Sequence, residues 1–322
     1  MKIGIVDLDT SHPAAWIPIL KDLGHDVVGV HDHGDIHPTG YAERFVQEHN
    51  GGQVFSSLLQ MVERVDCAVI HACNWDVHVE RARPFVEAGK AVLVDKPIAG
   101  NLRDLNQFTA WADTGARITG GSSLRFSDEP RCYLARPIEE RGSPHTVFCG
   151  CAVDEFNYGI HAYSLLATLM ANSGATAKPR TAISVRHLGR GPQRRIQIKW
   201  PDGRVGFVLV GTAARWLPFH AAVVTESDVE QILTNNGRLY RALLENVLDY
   251  LASEVDQPPL PIRDLVVPEL WALAAKQSWE NDDREVRLDE LDVSDKGYDG
   301  GAFAASYRIQ RYPDQTATQC EG

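Results

Sequence analysis

The first third of the chain alternates short apolar runs with amphipathic stretches. Lys2–Val6, Val27–Val30, Cys67–Ile70 and Ala91–Val94 are near-continuous apolar runs. Between them lie segments with helical spacing. Trp16, Ile19, Leu20 and Leu23 fall at i, i+3, i+4 and i+7, with Pro13 suited to a first turn and Gly24 to a stop. Tyr41–His49 ends at Gly51-Gly52, Val77–Ala88 closes at Gly89, and Leu102–Thr114 follows. Strands that are apolar on both faces, alternating with helices, predict a parallel sheet covered on each side. Ligands of such a doubly wound sheet bind at the carboxyl ends of the strands, so the residues just after each strand carry the interest.

The pattern changes after about residue 122. Thr146–Val153, Ala182–Leu188, Arg194–Trp200 and Arg204–Val210 read as strands, with a further candidate at His220–Thr225 and a hairpin turn at Pro201-Asp202-Gly203. Helices are expected at His161–Met170, Leu239–Glu254 and Pro268–Asn281, the last two split by the Pro-rich stretch 257–261. Ile196, Ile198 and Trp200 share one side of their strand, and Gln197 and Lys199 the other. The expected fold is therefore α/β, with a Rossmann-like domain over 1–121 and an α+β domain with a mostly antiparallel open-faced sheet over 122–322. The tail beyond Leu291 is polar, rich in Asp and Gly, and is expected to be partly disordered or to wrap the surface.

Composition narrows the partners. With 322 residues the chain is long enough for two cores. Its net charge of −11 lacks the basic face that nucleic acid or an anionic membrane needs. No apolar run reaches the ~18 residues of a membrane span, and the start enters a strand without a signal-peptide pattern. The six cysteines, at 67, 73, 132, 149, 151 and 320, have no zinc-ligand spacing and suit free thiols in a cytoplasmic protein.

Candidate chemistry follows the fourth strand. Asp95-Lys96-Pro97 comes after Gly89-Lys90-Ala91-Val92; His78 opens the preceding helix, and Gly159-Ile160-His161 stands in the second domain. In these features, over roughly residues 1–290, the chain resembles the glucose–fructose oxidoreductase / inositol dehydrogenase family. The resemblance implies oxidation or reduction of a sugar, cyclitol or related polyol with NAD or NADP, and homo-oligomers built through the outer face of the second sheet. It implies that Lys96, between nicotinamide and substrate, and His161 are the catalytic residues. The family's usual Asp four residues before that His is Asn157 here, which can orient a hydroxyl but cannot take a proton. Asp95 replaces the family's Glu. The cofactor-binding residues implied are Asp9, Thr10, Ser11, His12, Asp32, Asn74, His78, Asp95 and Lys96. Arg125, Tyr158 and Tyr163 are weaker candidates for the cleft.

One departure matters most. The dinucleotide fingerprint GxGxxG has the right context after the first strand, but its three glycine positions read Asp7, Asp9 and His12. A carboxylate at Asp9 takes the place of a phosphate. Two like charges about 4 Å apart repel by roughly 4 kcal/mol at an effective dielectric of about 20, or about a thousandfold in affinity. Asp32 stands about 20 residues beyond the fingerprint, where an acid holds the adenosine ribose and favours NAD. The acids and imidazoles at Asp7, Asp9, His12, His31, Asp32, His33, Asp35 and His37 follow two neighbouring strands, yet lack a fixed ligand spacing, so no metal site is assigned. The alternative to a dehydrogenase is a non-redox lyase, isomerase or hydrolase, or a binding protein, on the same fold.

Overall fold

The computed structural model describes residues 1–171 and 182–313; Cys320 lies outside the described residues. The first sheet has six parallel strands in the order β3-β2-β1-β4-β5-β6. They are β1 (Lys2–Val6), β2 (Asp26–His31), β3 (Gln53–Val54), β4 (Cys67–Ile70), β5 (Ala91–Val94) and β6 (Ile118–Gly120). The helices between them are α1 (His12–Asp22), α2 (Tyr41–His49), α3 (Leu58–Val62), α4 (His78–Glu87) and α5 (Leu102–Asp113). Every residue of β4 and β5 is buried, as their continuous apolar runs require. The buried stripe of α1 is Pro13, Trp16, Ile17 and Leu20, so Ile17 takes an inward place and Ile19 is only half-buried. The periodicity named the helix correctly and its face one position off.

Two short helices, α6 (Asp128–Ala135) and α7 (Ile138–Arg141), lead into the second sheet. Its strands are β7 (Thr146–Gly150), β8 (Ser184–Arg190), β9 (Arg194–Lys199), β10 (Val205–Val210), β11 (His220–Val224), β12 (Val229–Leu233) and β13 (Val286–Arg287), in the order β12-β11-β7-β10-β9-β8-β13. Only β7–β10 is a parallel pair. The helix α8 (Gly159–Ala171) covers one face. Ile196, Ile198 and Trp200, a side apolar enough for either core or subunit interface, point into that core. α8 has eleven apolar or small residues facing inward all round, which suits a helix enclosed on every side.

Three further helices complete the chain's second half: α9 (Leu239–Leu251), α10 (Ile262–Leu265) and α11 (Val267–Glu280). α9 and α10 return to the first sheet, where Leu243, Leu244, Val247, Ile262 and Leu265 join its core. α11 lies in the core of the second sheet through Trp271, Ala272 and Ala275. Of the two expectations for the tail, the described residues follow the second: residues 300–311 form a helix, α12 (Gly300–Arg311), that wraps onto the carboxyl edge of the first sheet. β3, β6, β12 and β13 escaped the sequence reading; two of them are two-residue strands too short to show a period.

At the end of β6 the backbone of Gly120 has φ +142°, and a Cβ there would stand 1.9 Å from the Val94 carbonyl oxygen. That carbonyl ends the strand that delivers Asp95, so the close approach sets the height of the functional loop. Gly120→Ala is expected to cost more than about 3 kcal/mol, read as a lowered urea midpoint with an unchanged slope.

Candidate functional site

The carboxyl ends of β1, β4 and β5 and the start of α8 enclose a cavity of about 230 Å³ between the two sheets. His12, Lys96, Asn157, Tyr158, His161 and Tyr240 are among the residues that line it. β5 ends at Val94, and the chain turns at once, which aims Asp95 and Lys96 in different directions.

Asp95 faces inward, toward the sheet. Its Oδ2 lies 2.5 Å from His12 Nδ1 and 2.8 Å from His71 Nδ1, and its Oδ1 accepts the Lys96 N–H at 2.7 Å. Burial alone would push this carboxyl up, but the two imidazoles hold it well below the usual carboxylate range. The nearest ligand atoms of His12, His71 and Asp95 all lie within 4.8 Å of one another. Here they are joined by hydrogen bonds, and Asp95 orients the imidazole of His12 at the cavity wall.

Lys96 faces the cavity. Its Nζ donates to the Asn157 carbonyl oxygen at 3.1 Å and to the Asn157 side-chain oxygen at 2.9 Å, and lies 5.4 Å from the centre of the Tyr158 ring. Burial pushes this lysine below its ordinary value, with Asp95 and Asp154 opposing the shift. His161 Nδ1 is 2.7 Å from Ser122 Oγ. That oxygen already accepts the Leu124 N–H, so the hydroxyl proton is free for Nδ1. Whichever partner donates, this bond occupies Nδ1 and leaves Nε2 as the ring nitrogen free for a ligand. Burial, reinforced by Lys96, holds His161 well below the ordinary imidazole value, so it is neutral at pH 7. Ser122 escaped the sequence reading, because a serine after a strand has no signature until its partner is known.

The remaining candidates divide. Thr10, Ser11 and His12 line the cavity, as do Tyr158 and the half-exposed Trp216. Asn74 accepts the Asp76 N–H and caps a turn of 3-10 helix at Trp75–Val77. His78 is a structural pin and not a cavity residue: its two ring nitrogens lie 3.0 and 2.8 Å from the carbonyl oxygens of Ile98 and Ala72. Tyr163 is fully buried core. Arg125 is buried too, donates to the Asp264 carbonyl oxygen, and is brought down to about 10 by burial.

The β1–α1 loop shows how the lost glycines are replaced. Asp7 keeps the left-handed conformation, φ +63°, that a glycine would supply. Its Oδ1 accepts from His33 N and lies 2.6 Å from His33 Nδ1, while Arg81 Nε stands 3.5 Å from Oδ2. Asp9 Oδ2 accepts the Cys73 N–H at 2.8 Å, and Asp9 Oδ1 is buried without a partner. Burial, with Asp7 beside it, pushes Asp9 up to about 7, so it is less ionised near neutral pH than a free carboxyl. Asp32 turns toward the same loop and accepts the Leu8 N–H at 3.4 Å. The His12 N–H is taken by Thr10 Oγ1 at 3.2 Å, and Pro13 has none, so the first turn of α1 is poor in donors for a phosphate.

Residues 12–119 match the family model described as an oxidoreductase family with an NAD-binding Rossmann fold. The parallel-sheet domain belongs to that family. The match begins at His12, just past the loop where the family's glycines are lost. No curated protein matches the sequence. Among solved structures, the chain is similar to a probable dehydrogenase from Thermotoga maritima, at TM-score 0.75 and 15% identity over 90% of this chain and 100% of that one. It is also similar to the myo-inositol dehydrogenase of Lactobacillus casei, in complex with NAD(H) and myo-inositol, at TM-score 0.71 and 17% identity over 89% and 96%. A third is the UDP-N-acetylglucosamine 3-dehydrogenase of Acidithiobacillus ferrooxidans, at TM-score 0.69 and 13% identity over 86% and 97%. Over both sheets the chain shares its fold with these structures.

A buried carboxyl whose folded value is raised binds more protons folded than unfolded. Its contribution to stability is present below the ordinary value of 3.8 and is lost as pH rises through about 7. Asp9→Asn is therefore expected to melt higher than the parent at pH 8, by roughly 3–6 °C, with the gap closing by pH 4. Equal melting temperatures at pH 8 would refute the buried, raised Asp9.

Proposed function

We propose that the chain is an enzyme of the dehydrogenase class, acting on a sugar-like, cyclitol or other polyol held in the cavity between the sheets. One observation carries the reading: Lys96 Nζ and the His161 ring converge on the same cavity, and each is held by a partner, Asn157 or Ser122. Neutral His161 exchanges a proton with the substrate oxygen through Nε2, taking it as the hydroxyl is oxidised and returning it as the carbonyl is reduced. Lys96, less basic through burial, holds that oxygen's charge or relays its proton. Asn157 fixes the ammonium and, lacking an ionisable group, leaves proton handling to Lys96 and His161. The rings of Tyr158 and Tyr240 supply apolar faces for sugar C–H surfaces.

The cofactor of this reading is NAD or NADP, with NAD favoured by Asp32; it accepts or supplies the hydride when bound. Thr10, Ser11, His12 and Lys96, which line the cavity, would hold it there, with Asp95 behind them orienting His12 and Lys96. Its adenosine end does not fit the arrangement described: Asp9 occupies the pyrophosphate's place, Asp32 is turned to Leu8, and α12 covers the crevice. Those same features favour the second reading, a lyase, isomerase or hydrolase that needs only the proton chemistry of Lys96, His161 and the Asp95-oriented His12. In that case the two imidazoles and one carboxylate also offer three ligand atoms to a divalent metal.

We place the protein in the cytoplasm on its thiols. Cys67, Cys73, Cys149 and Cys151 are free and buried, and Cys132 is free and exposed. Among the described residues no helix is long and apolar enough to cross a membrane. The outer face of the second sheet presents Phe148, 40% exposed and stacked on Phe207, as the centre of a homo-oligomer contact.

The test is oxidation of a panel of cyclitols and sugars with each nicotinamide cofactor. Lys96→Met and His161→Ala are expected to lower kcat by about 10²- to 10⁴-fold, with thermal midpoints close to the parent's. Retained turnover in both variants would remove these residues from the mechanism.

A further inference from the structure

We infer that α12 is a built-in occupant of the crevice where the adenosine half of a dinucleotide would lie, so that α12 and NAD(P) bind this chain exclusively of one another. The inference rests on the dehydrogenase reading above.

The place is set by topology. In the order β3-β2-β1-β4-β5-β6 the direction of winding reverses between β1 and β4. A dinucleotide lies across that point, against the loops that follow β1, β2 and β4. α12 engages all three loops. At its start, the N–H groups of Gly300 and Gly301 donate to Asp76 Oδ2 at 2.8 and 3.2 Å, just beyond the β4 loop. Gly300 permits this approach, since a Cβ there would stand 2.5 Å from Asn74 Oδ1. In the middle, Ala304 is buried against Ile36 and Cys73, and Phe303 packs 5.1 Å from the Trp75 ring. At its end, Arg308 Nη1 donates to the Asp35 carbonyl oxygen at 3.2 Å. Tyr312 Oη lies 2.7 Å from His37 Nδ1, and His37 Nε2 lies 3.0 Å from the Leu8 carbonyl oxygen, which links the helix to the β1 loop.

Charge points the same way. The crevice carries Asp7, Asp9, Asp32 and Asp35, and the last turn of α12 carries Arg308 and Arg311. With Asp7 paired and Asp9 raised, Asp32 and Asp35 leave the crevice better suited to a cationic helix end than to a pyrophosphate. The docking is also shallow. Within α12 only Gly300 and Ala304 are fully buried, with Phe303 and Tyr307 half-buried. A segment with so few buried apolar contacts belongs to the low-stability end of a fold and can leave without unfolding the sheet. Phe303 and Tyr307 also line the substrate cavity, so the helix closes one wall of the site while it is in place.

The experiment titrates NADH and NADPH, followed by nicotinamide fluorescence, into three proteins: the full chain, a chain ending at Tyr298, and full-length Ala304→Arg, which forces a long cation into the buried contact. Circular dichroism establishes that each is folded, and Ala304→Arg serves if truncation is not tolerated. The expected result is at least tenfold tighter binding in the two altered proteins. In the full chain, saturating cofactor should raise hydrogen exchange across residues 300–311. Equal binding in all three proteins, with unchanged exchange, would overturn the inference and leave the dehydrogenase reading standing. No binding by any folded variant up to millimolar cofactor would overturn the dehydrogenase reading, and the inference with it.

Discussion

The hydrogen bonds of Asp95 hold the site together. One buried carboxylate ties the end of β5 to the end of β4 through His71 and to the first turn of α1 through His12, while its other oxygen binds the backbone of Lys96. Three chain segments distant in sequence thereby share one anchor. Because that anchor takes the Lys96 amide, the Lys96 side chain is left to cross the cavity to Asn157 on the far side. An ionised carboxylate is tolerable at this depth only because both oxygens are bonded. Removal of one partner would leave an uncompensated buried charge in the centre of the molecule.

A second set of acids does the opposite work. Asp7 is paired with His33 and Arg81 and remains ionised, whereas Asp9 has one bonded oxygen and one orphan and is pushed up to about 7. Side by side, the two carboxyls close the loop that in a glycine-rich fingerprint stays open to a phosphate. The loop's tight turn survives, since Asp tolerates the left-handed conformation through local hydrogen bonds. What changes is the ligand such a turn can accept. The same acids hold the β2 loop through His33 and the β4 loop through Cys73, and on that rim α12 docks.

Much of this was legible in the residues. Asp95-Lys96-Pro97 stands after an apolar run, where a parallel sheet gathers its strand ends, and the family resemblance implied that His161 of the second domain faces it across one cavity. The lost glycines at Asp7, Asp9 and His12 were equally plain. His78 misled, since its position at the start of a helix after β4 does not disclose that both ring nitrogens meet backbone carbonyls. Ser122 and His71 gained meaning only once their partners, 39 and 24 residues away, stood beside them.

The sequence by itself determined the two-sheet plan, the identity of the cavity lysine and histidine, and the departure at the glycine loop. The plan and the loop depend on local periodicity and on residue types at strand ends, which act over a few residues; the lysine and histidine were implied by the family resemblance. Only the packed structure decided that Asp95 serves as an anchor, that burial raises Asp9, and that residues 300–311 form a helix across the crevice. A twelve-residue segment that opens Gly-Gly is too short to hold a helix by itself. Its order comes from Asp76, Ile36, Cys73 and His37, groups between 220 and 280 residues earlier in the chain, which no local pattern can register.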